Sequence, residues 1–240
     1  MESSAVAFVV GVLVGLLLGF LLGILDLRRL FRGRRFDEHE GRTPLTPVGL
    51  ATHLYLDRLG RRFTSDLEEV AERATRDPLT SVRNRQGVLV ELFNGVEKAN
   101  IEDRAVAVAM IDFDHFKAIN DTMGHAGGDL VLSHVAGVMN AYLPDGWTLG
   151  RYGGDEFCLV MPGTDADGAY PFLEALRARV AAERISVEGN EASMTLSIGV
   201  ASGEVGRATA DALVRNADVA AYEAKENGRN RVEVFSPARD

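Results

Sequence analysis

The sequence predicts an α/β fold of the α+β kind, with helices packed on a central sheet, preceded by one membrane-crossing helix and a helical linker. Past residue 85 helical and extended patterns alternate, which sets the fold class. Within 148–161 two apolar runs flank Gly153-Gly154, the mark of a hairpin. Residues 3–25 contain nothing ionisable, and Arg28, Arg29, Arg32, Arg34 and Arg35 follow at once, which predicts the anchor.

As a helix rising about 1.5 Å per residue, 5–25 spans about 30 Å, the thickness of a bilayer's hydrocarbon core. Fifteen Leu, Ile, Val and Phe residues there favour insertion. The first 36 residues carry five arginines against Glu2 and Asp26, a net of +3, and the remainder carries −12. Basic flanks stay cytoplasmic, so the expectation is a single pass, N-terminus outside and 28–240 inside. A cleaved secretory signal needs a basic start, whereas the chain opens Met1-Glu2-Ser3-Ser4. With so few residues outside, no sizeable external sensor is expected. Gly11, Gly15, Gly19 and Gly23 form one stripe on which two helices can pair; glycine is also common in such helices, and both readings stand.

The expected organisation is 1–27 as anchor, 28–76 as a basic juxtamembrane segment and linker, and 77–240 as one domain. Residues 36–47 are polar and irregular, with Gly41, Pro44 and Pro47. Leu56, Leu59, Phe63, Leu67, Val70 and Ala74 then step by three or four, a heptad seam with a stutter. Equally, Ser65-Asp66-Leu67-Glu68 matches a capping box that divides two ordinary amphipathic helices. Either pattern ends at Asp77-Pro78.

In the domain, 86–100 reads as an amphipathic helix and 106–113 as an apolar, β-branched strand. Residues 115–120, 129–142, 171–183 and 209–227 read as helices, and 194–201 as a strand.

Composition excludes several chemistries. A net charge of −9 argues against nucleic acid as a partner. One cysteine, Cys158, permits neither an intramolecular disulfide nor a multi-cysteine zinc site. No GxxxxGK[ST] or GxGxxG is present, so a P-loop or Rossmann nucleotide site has no support.

The residues with chemistry sit where elements end. Asp112 and Asp114, two apart, point to one side of the strand and suit a cation or a solvated strand end. Gly153-Gly154 is expected to supply the positive φ of a tight hairpin and to let a ligand lie against bare backbone, with Asp155 and Glu156 projecting at the tip. If this hairpin neighbours the Asp112 strand, four carboxylates converge, hard ligands suited to Mg²⁺ carrying phosphates. Lys117 follows the acidic strand end; Lys225 and Arg229 lie about a helix C-terminus, where they serve either phosphates or the helix dipole.

Together these segments resemble the GGDEF diguanylate cyclase family over about 76–235. The motifs run in order: Asp77-Pro78-Leu79-Thr80 with Asn84-Arg85; Asp112-Phe113-Asp114-His115-Phe116-Lys117 with Asn120-Asp121; Gly124-His125 with Gly128-Asp129; Arg151-Tyr152-Gly153-Gly154-Asp155-Glu156-Phe157; Ser197-Ile198-Gly199-Val200; and Tyr222-Glu223-Ala224-Lys225 with Gly228-Arg229-Asn230. The resemblance implies a palm-like, mostly antiparallel sheet surrounded by helices, as in nucleotidyl cyclases. It implies condensation of two GTP into cyclic di-GMP across a homodimer; with the anchor of 5–25 in the lipid bilayer, the expected place is a bacterial inner membrane. It implies Mg²⁺, or Mn²⁺ in its place, on Asp112, the Phe113 carbonyl, Asp155 and Glu156, with Glu156 also able to accept a proton. Asn120 and Asp129 would meet the guanine edge, with His125 nearby, and Lys117, Lys225 and Arg229 the phosphates. A silent GTP or cyclic di-GMP receptor is the alternative, and a plain membrane-tethered interaction module a third.

Two positions depart from the family. Its inhibitory Arg-x-x-Asp window reads Pro144-Asp145-Gly146-Trp147 here, so product inhibition through that site is not expected. Arg83 stands where the family usually has proline.

Overall fold

The computed structural model describes residues 72, 74–187, 189–203 and 205–236. The predicted anchor, its glycine stripe and most of the linker seam lie outside them. Among the described residues no helix is long and apolar enough to cross a membrane.

The elements run α1 (Arg85–Ile101), β1 (Val106–Phe113), α2 (Phe116–Tyr142), β2 (Thr148–Arg151), β3 (Glu156–Pro162), α3 (Ala166–Ala182), β4 (Ile185–Val187), β5 (Asn190–Ala192), β6 (Leu196–Ser202), α4 (Ala210–Glu226) and β7 (Arg231–Val234). Five strands form one sheet in the order β2-β3-β1-β6-β7, antiparallel except for β6 with β7. The expected mostly antiparallel sheet is therefore present.

β1 is central and buried on both faces, which explains its unbroken apolar run. Ala107, Ala109, Ile111 and Phe113 enter the core under α2 and α3, whereas Val106, Val108 and Met110 enter the one under α1 and α4. Phe113 stacks on Phe157, centroids 5.1 Å apart, and meets Phe116 edge-on, fastening the start of α2 to the strand ends. α4 comes closest to the sheet at Gly199, where an added Cβ would collide with the backbone of Ala217 and Ala221.

Several boundaries differ from expectation. The two helices expected at 115–120 and 129–142 are present but extend toward each other and meet at a kink at Gly124 (φ 71°, ψ 169°), so that α2 comprises both. α3 starts at Ala166 rather than residue 171 because Asp165 caps it, accepting from the Gly168 N–H at 2.8 Å; Pro171 is tolerated on its exposed side. The β4–β5 hairpin and β7 were not anticipated. Gly153 and Gly154 are not among the positive-φ glycines, so the reason first given for them fails. A Cβ at Gly153 would instead strike the Glu156 carboxylate.

Arg83 resolves its own departure. Its N–H donates to the Leu149 carbonyl at 3.2 Å, a bond proline could not make, and its carbonyl accepts from the Arg151 N–H at 2.7 Å. This places the 76–83 turn along β2 and shields an otherwise open sheet edge. The Arg83 guanidinium binds Glu72, Thr75 and Glu91, fastening the end of the linker helix to α1. Ala74 is still helical, so that helix stops before Pro78, as expected.

Gly199→Ala is expected to lift α4 from β6 and lower stability by about 1–3 kcal/mol, read as a fall in the denaturation midpoint; an unchanged midpoint would contradict the close packing.

Candidate active site

Antiparallel pairing sets Asp112 on β1 directly opposite Glu156 on β3. Asp112 follows Met110 by two residues and so emerges on the α1/α4 side of the sheet. There Lys225 of α4 reaches it, Nζ 2.7 Å from Oδ2. Burial raises the Asp112 carboxyl above its ordinary value, Lys225 opposes this, and the charges of Asp155 and Glu156 add to the rise. A cleft of about 100 Å³ opens here, lined by Asp112, Glu156, Asp218, Tyr222 and Lys225.

The hairpin tip is tied at both ends. Tyr152 and Gly153 N–H groups return to the Glu156 carbonyl at 2.8 and 3.1 Å, and the Phe113 N–H donates to the Asp155 carbonyl at 3.3 Å. Arg151 donates through Nε and Nη2 to the Gly154 carbonyl at 3.0 and 2.8 Å, and through Nη1 to both Asp77 oxygens at 3.3 Å. Burial alone would raise the Asp77 carboxyl, but hydrogen bonds from Thr80 and the Arg151 charge outweigh it and hold it below the usual range. One guanidinium thus joins the linker junction to the tip that bears Asp155.

His115 enters α2 in the left-handed conformation (φ 59°, ψ 24°) with no side-chain cap bond. The sharp turn sets a helix N-terminus, with its free N–H groups, immediately after the acidic strand end, an arrangement favourable to phosphate. On α2 the Asn120 side chain lies across the bend against Gly128, where an added Cβ would collide with Oδ1. Gly128, one residue before Asp129 in the chain, leaves the space that the Asn120 amide fills.

The structure thus gathers Asp112, Asp155, Glu156 and Lys225, and separately sets Asn120 against Gly128. Lys117, His125, Asp129 and Arg229 are exposed, and no contact joins their side chains to the carboxylates. Asp114 corrects the expectation of four convergent carboxylates: it is buried and bonded to Thr195, Ser197 and the Asn230 N–H, so three remain. Asp218 was missed; its spacing to Tyr222 and Lys225, four and seven residues on, places all three on one helical face.

A divalent cation fits this donor set. Like charges directly opposed on paired strands are unfavourable unless neutralised, and Lys225 already supplies one positive charge. Among the described residues no three acidic, imidazole or thiol side chains form a closed metal cage. One or two carboxylates completed by substrate phosphates are enough to hold a hard ion.

A family model described as "Diguanylate cyclase, GGDEF domain" matches residues 74–231. The chain belongs to the GGDEF domain family. Among curated GGDEF relatives, Diguanylate cyclase DgcP of Pseudomonas aeruginosa is 36% identical over 179 residues, covering 75% of this chain and 26% of that protein. Diguanylate cyclase A of Treponema denticola is 36% identical over 167 residues, covering 68% and 45%. The chain therefore spans less than half the length of either relative. The solved coiled coil and GGDEF domain of DgcB from Caulobacter crescentus, in complex with c-di-GMP, superposes with a TM-score of 0.68 at 31% identity, covering 77% of this chain and 98% of that one.

Because the native Asp77 carboxyl titrates below its ordinary 3.8, the unfolded chain binds more protons in the interval between. The ionised group's stabilisation is complete above the ordinary value and is lost as pH falls through the depressed one. Asp77→Asn is expected to lower unfolding free energy by on the order of 1 kcal/mol at about pH 7 and by less at about pH 2. Equal losses at both pH values would show that the charge is idle.

Proposed function

We propose that the domain is a diguanylate cyclase acting as a homodimer in which each protomer holds one GTP. Each 3′-hydroxyl attacks the α-phosphorus of the facing nucleotide, two phosphodiester bonds form, two pyrophosphates leave, and cyclic di-GMP results. The observation that carries this reading is the meeting of Asp112, Asp155, Glu156 and Lys225 beside a tethered hairpin tip in a GGDEF-family chain.

Each residue has a task in it. Asn120 and Asp129 read the guanine edge, whose N1–H and N2–H₂ both donate to a carboxylate, as an adenine edge cannot; His125 lies nearby. Lys117, Lys225 and Arg229 hold phosphates, and Gly153 and Gly154 leave room for the nucleotide along the tip. Glu156 accepts the hydroxyl proton. Mg²⁺, or Mn²⁺ in its place, would be held by Asp112, the Phe113 carbonyl, Asp155 and Glu156, and when bound neutralises phosphate charge and lowers the hydroxyl pKa.

Residues 5–25 anchor the chain in a bacterial inner membrane with the catalytic domain inside. Membrane confinement and a pairing linker both raise the effective concentration of facing sites. The coiled coil solved together with the GGDEF domain of DgcB supports reading the 56–74 seam as such a linker.

The test is incubation of the detergent-solubilised full chain with GTP and Mg²⁺, nucleotides being resolved by chromatography and mass. Cyclic di-GMP is expected, and Asp155→Ala is expected to reduce its formation by about 10²-fold or more, as loss of a group acting on developing charge does. GTP binding without product would favour the receptor instead.

Around the altered inhibitory window, Trp147 packs edge-on against Phe172 at 4.8 Å, and Phe172 stacks on Tyr142 at 5.2 Å. Added cyclic di-GMP is accordingly expected to slow the reaction only by competing with GTP; in initial-rate measurements, inhibition that persists at saturating GTP would disprove this.

A further inference from the structure

Asp114 is the only buried carboxylate among the described residues, 5% exposed. Such a group is unfavourable unless its lone pairs are filled. Here Thr195 Oγ1 and the Asn230 N–H donate to Oδ2 at 2.7 and 3.0 Å, and Ser197 Oγ donates to Oδ1 at 2.6 Å. The donors come from the approach and start of β6 and from the loop between α4 and β7.

That loop is gripped from a second side. Arg177 of α3 donates through Nη1 to Asn230 Oδ1 at 2.7 Å, and Glu174 fixes the same guanidinium at 2.9 Å. Glu174 also accepts from the Val232 N–H at 3.2 Å. Between these holds, Gly228, Arg229 and Asn230 take φ of 107°, 63° and 46°, three successive left-handed residues of which two lack glycine's freedom. Conformations of this kind persist only where the surroundings impose them. The middle residue is Arg229, whose N–H returns to the Ala224 carbonyl at 2.9 Å, one residue before Lys225.

We propose that Asp114 is a positioning residue for nucleotide binding: with Arg177 it holds the 228–230 loop left-handed and thereby aims Arg229 at the triphosphate. This rests on the reading of Arg229 as a phosphate ligand.

The test uses the full chain in detergent and two measurements. One is affinity for a GTP analogue with an α,β-methylene bridge, which cannot turn over. The other is amide hydrogen exchange at 228–230 compared with β1 and β6. Arg229→Ala and Asp114→Ala are each expected to weaken analogue binding about tenfold, the size of one lost charge-assisted contact. The double variant is expected to be no weaker than Arg229→Ala alone, since Asp114 acts through Arg229. Asp114→Asn keeps an oxygen for Thr195 and the Asn230 N–H and turns an amide toward Ser197, so it restores binding to within about threefold of wild type. In Asp114→Ala, exchange at 228–230 accelerates while β1 and β6 stay protected. If that variant does not fold, Arg177→Met, which removes the second hold without changing any residue of the loop, must show the same loosened loop and the same non-additivity. Additive losses, or unchanged exchange in the loop, overturn the clamp. A wild-type chain that binds no analogue overturns the phosphate reading itself, and with it the role assigned to Arg229.

Discussion

Pairing Ile111 with Phe157 and Asp112 with Glu156 leaves the domain little other freedom. Side chains alternate across a strand, so a slip of one residue would turn Asp112 into the core under α2 and α3 and expose the apolar set that belongs there. The aromatic stack of Phe113 on Phe157 lies against that register and gives it hydrophobic weight. Two acidic groups face each other at the strand ends because the core fixes the register below them. Every group around the site, from Lys225 on α4 to the hairpin tip, is placed relative to that pair.

Around this pair the chain uses carboxylates in two ways. Asp112 is half-buried, meets an ammonium and stands beside two like charges, an unbalanced setting that a bound cation would relieve. Asp114, two residues on, has its lone pairs filled by hydroxyls and an amide and acts as a fixed joint. Asp77 is a third case, held ionised by Thr80 and Arg151 at the junction between linker and domain. Placement rather than residue type separates charge that binds from charge that builds.

How much of this was legible in the sequence follows from the length of each signal. β1 was read to its ends because seven apolar residues in eight make an unmistakable strand, and α4 was placed within a residue because Thr209 and Asn227 bound it. β4 and β5 have three residues each, too few for alternation to show, and β7 carries charged residues at alternate places. Pro171 was read as a helix start when the true signal was the Asp165 cap. The carboxylates of the hairpin and of β1 were found; the fate of Asp114 was hidden because Thr195, Ser197 and Asn230 lie 81 to 116 residues away along the chain. Of the two reasons offered for Gly153 the positive φ is not found, since a sequence reveals that a side chain is missing but not which neighbour, here the Glu156 carboxylate, takes the space.

Cys158, the only cysteine in the chain, sits on β3 with no exposed surface, and burial pushes its thiol up to about 12. At neutral pH it is neither nucleophilic nor reachable. The protein is in effect silent to thiol chemistry, so a single cysteine introduced on the hairpin tip or the linker would be the sole attachment point for a spectroscopic label. Any pairing of two copies would thereby be open to distance measurement without first removing a native residue from the core.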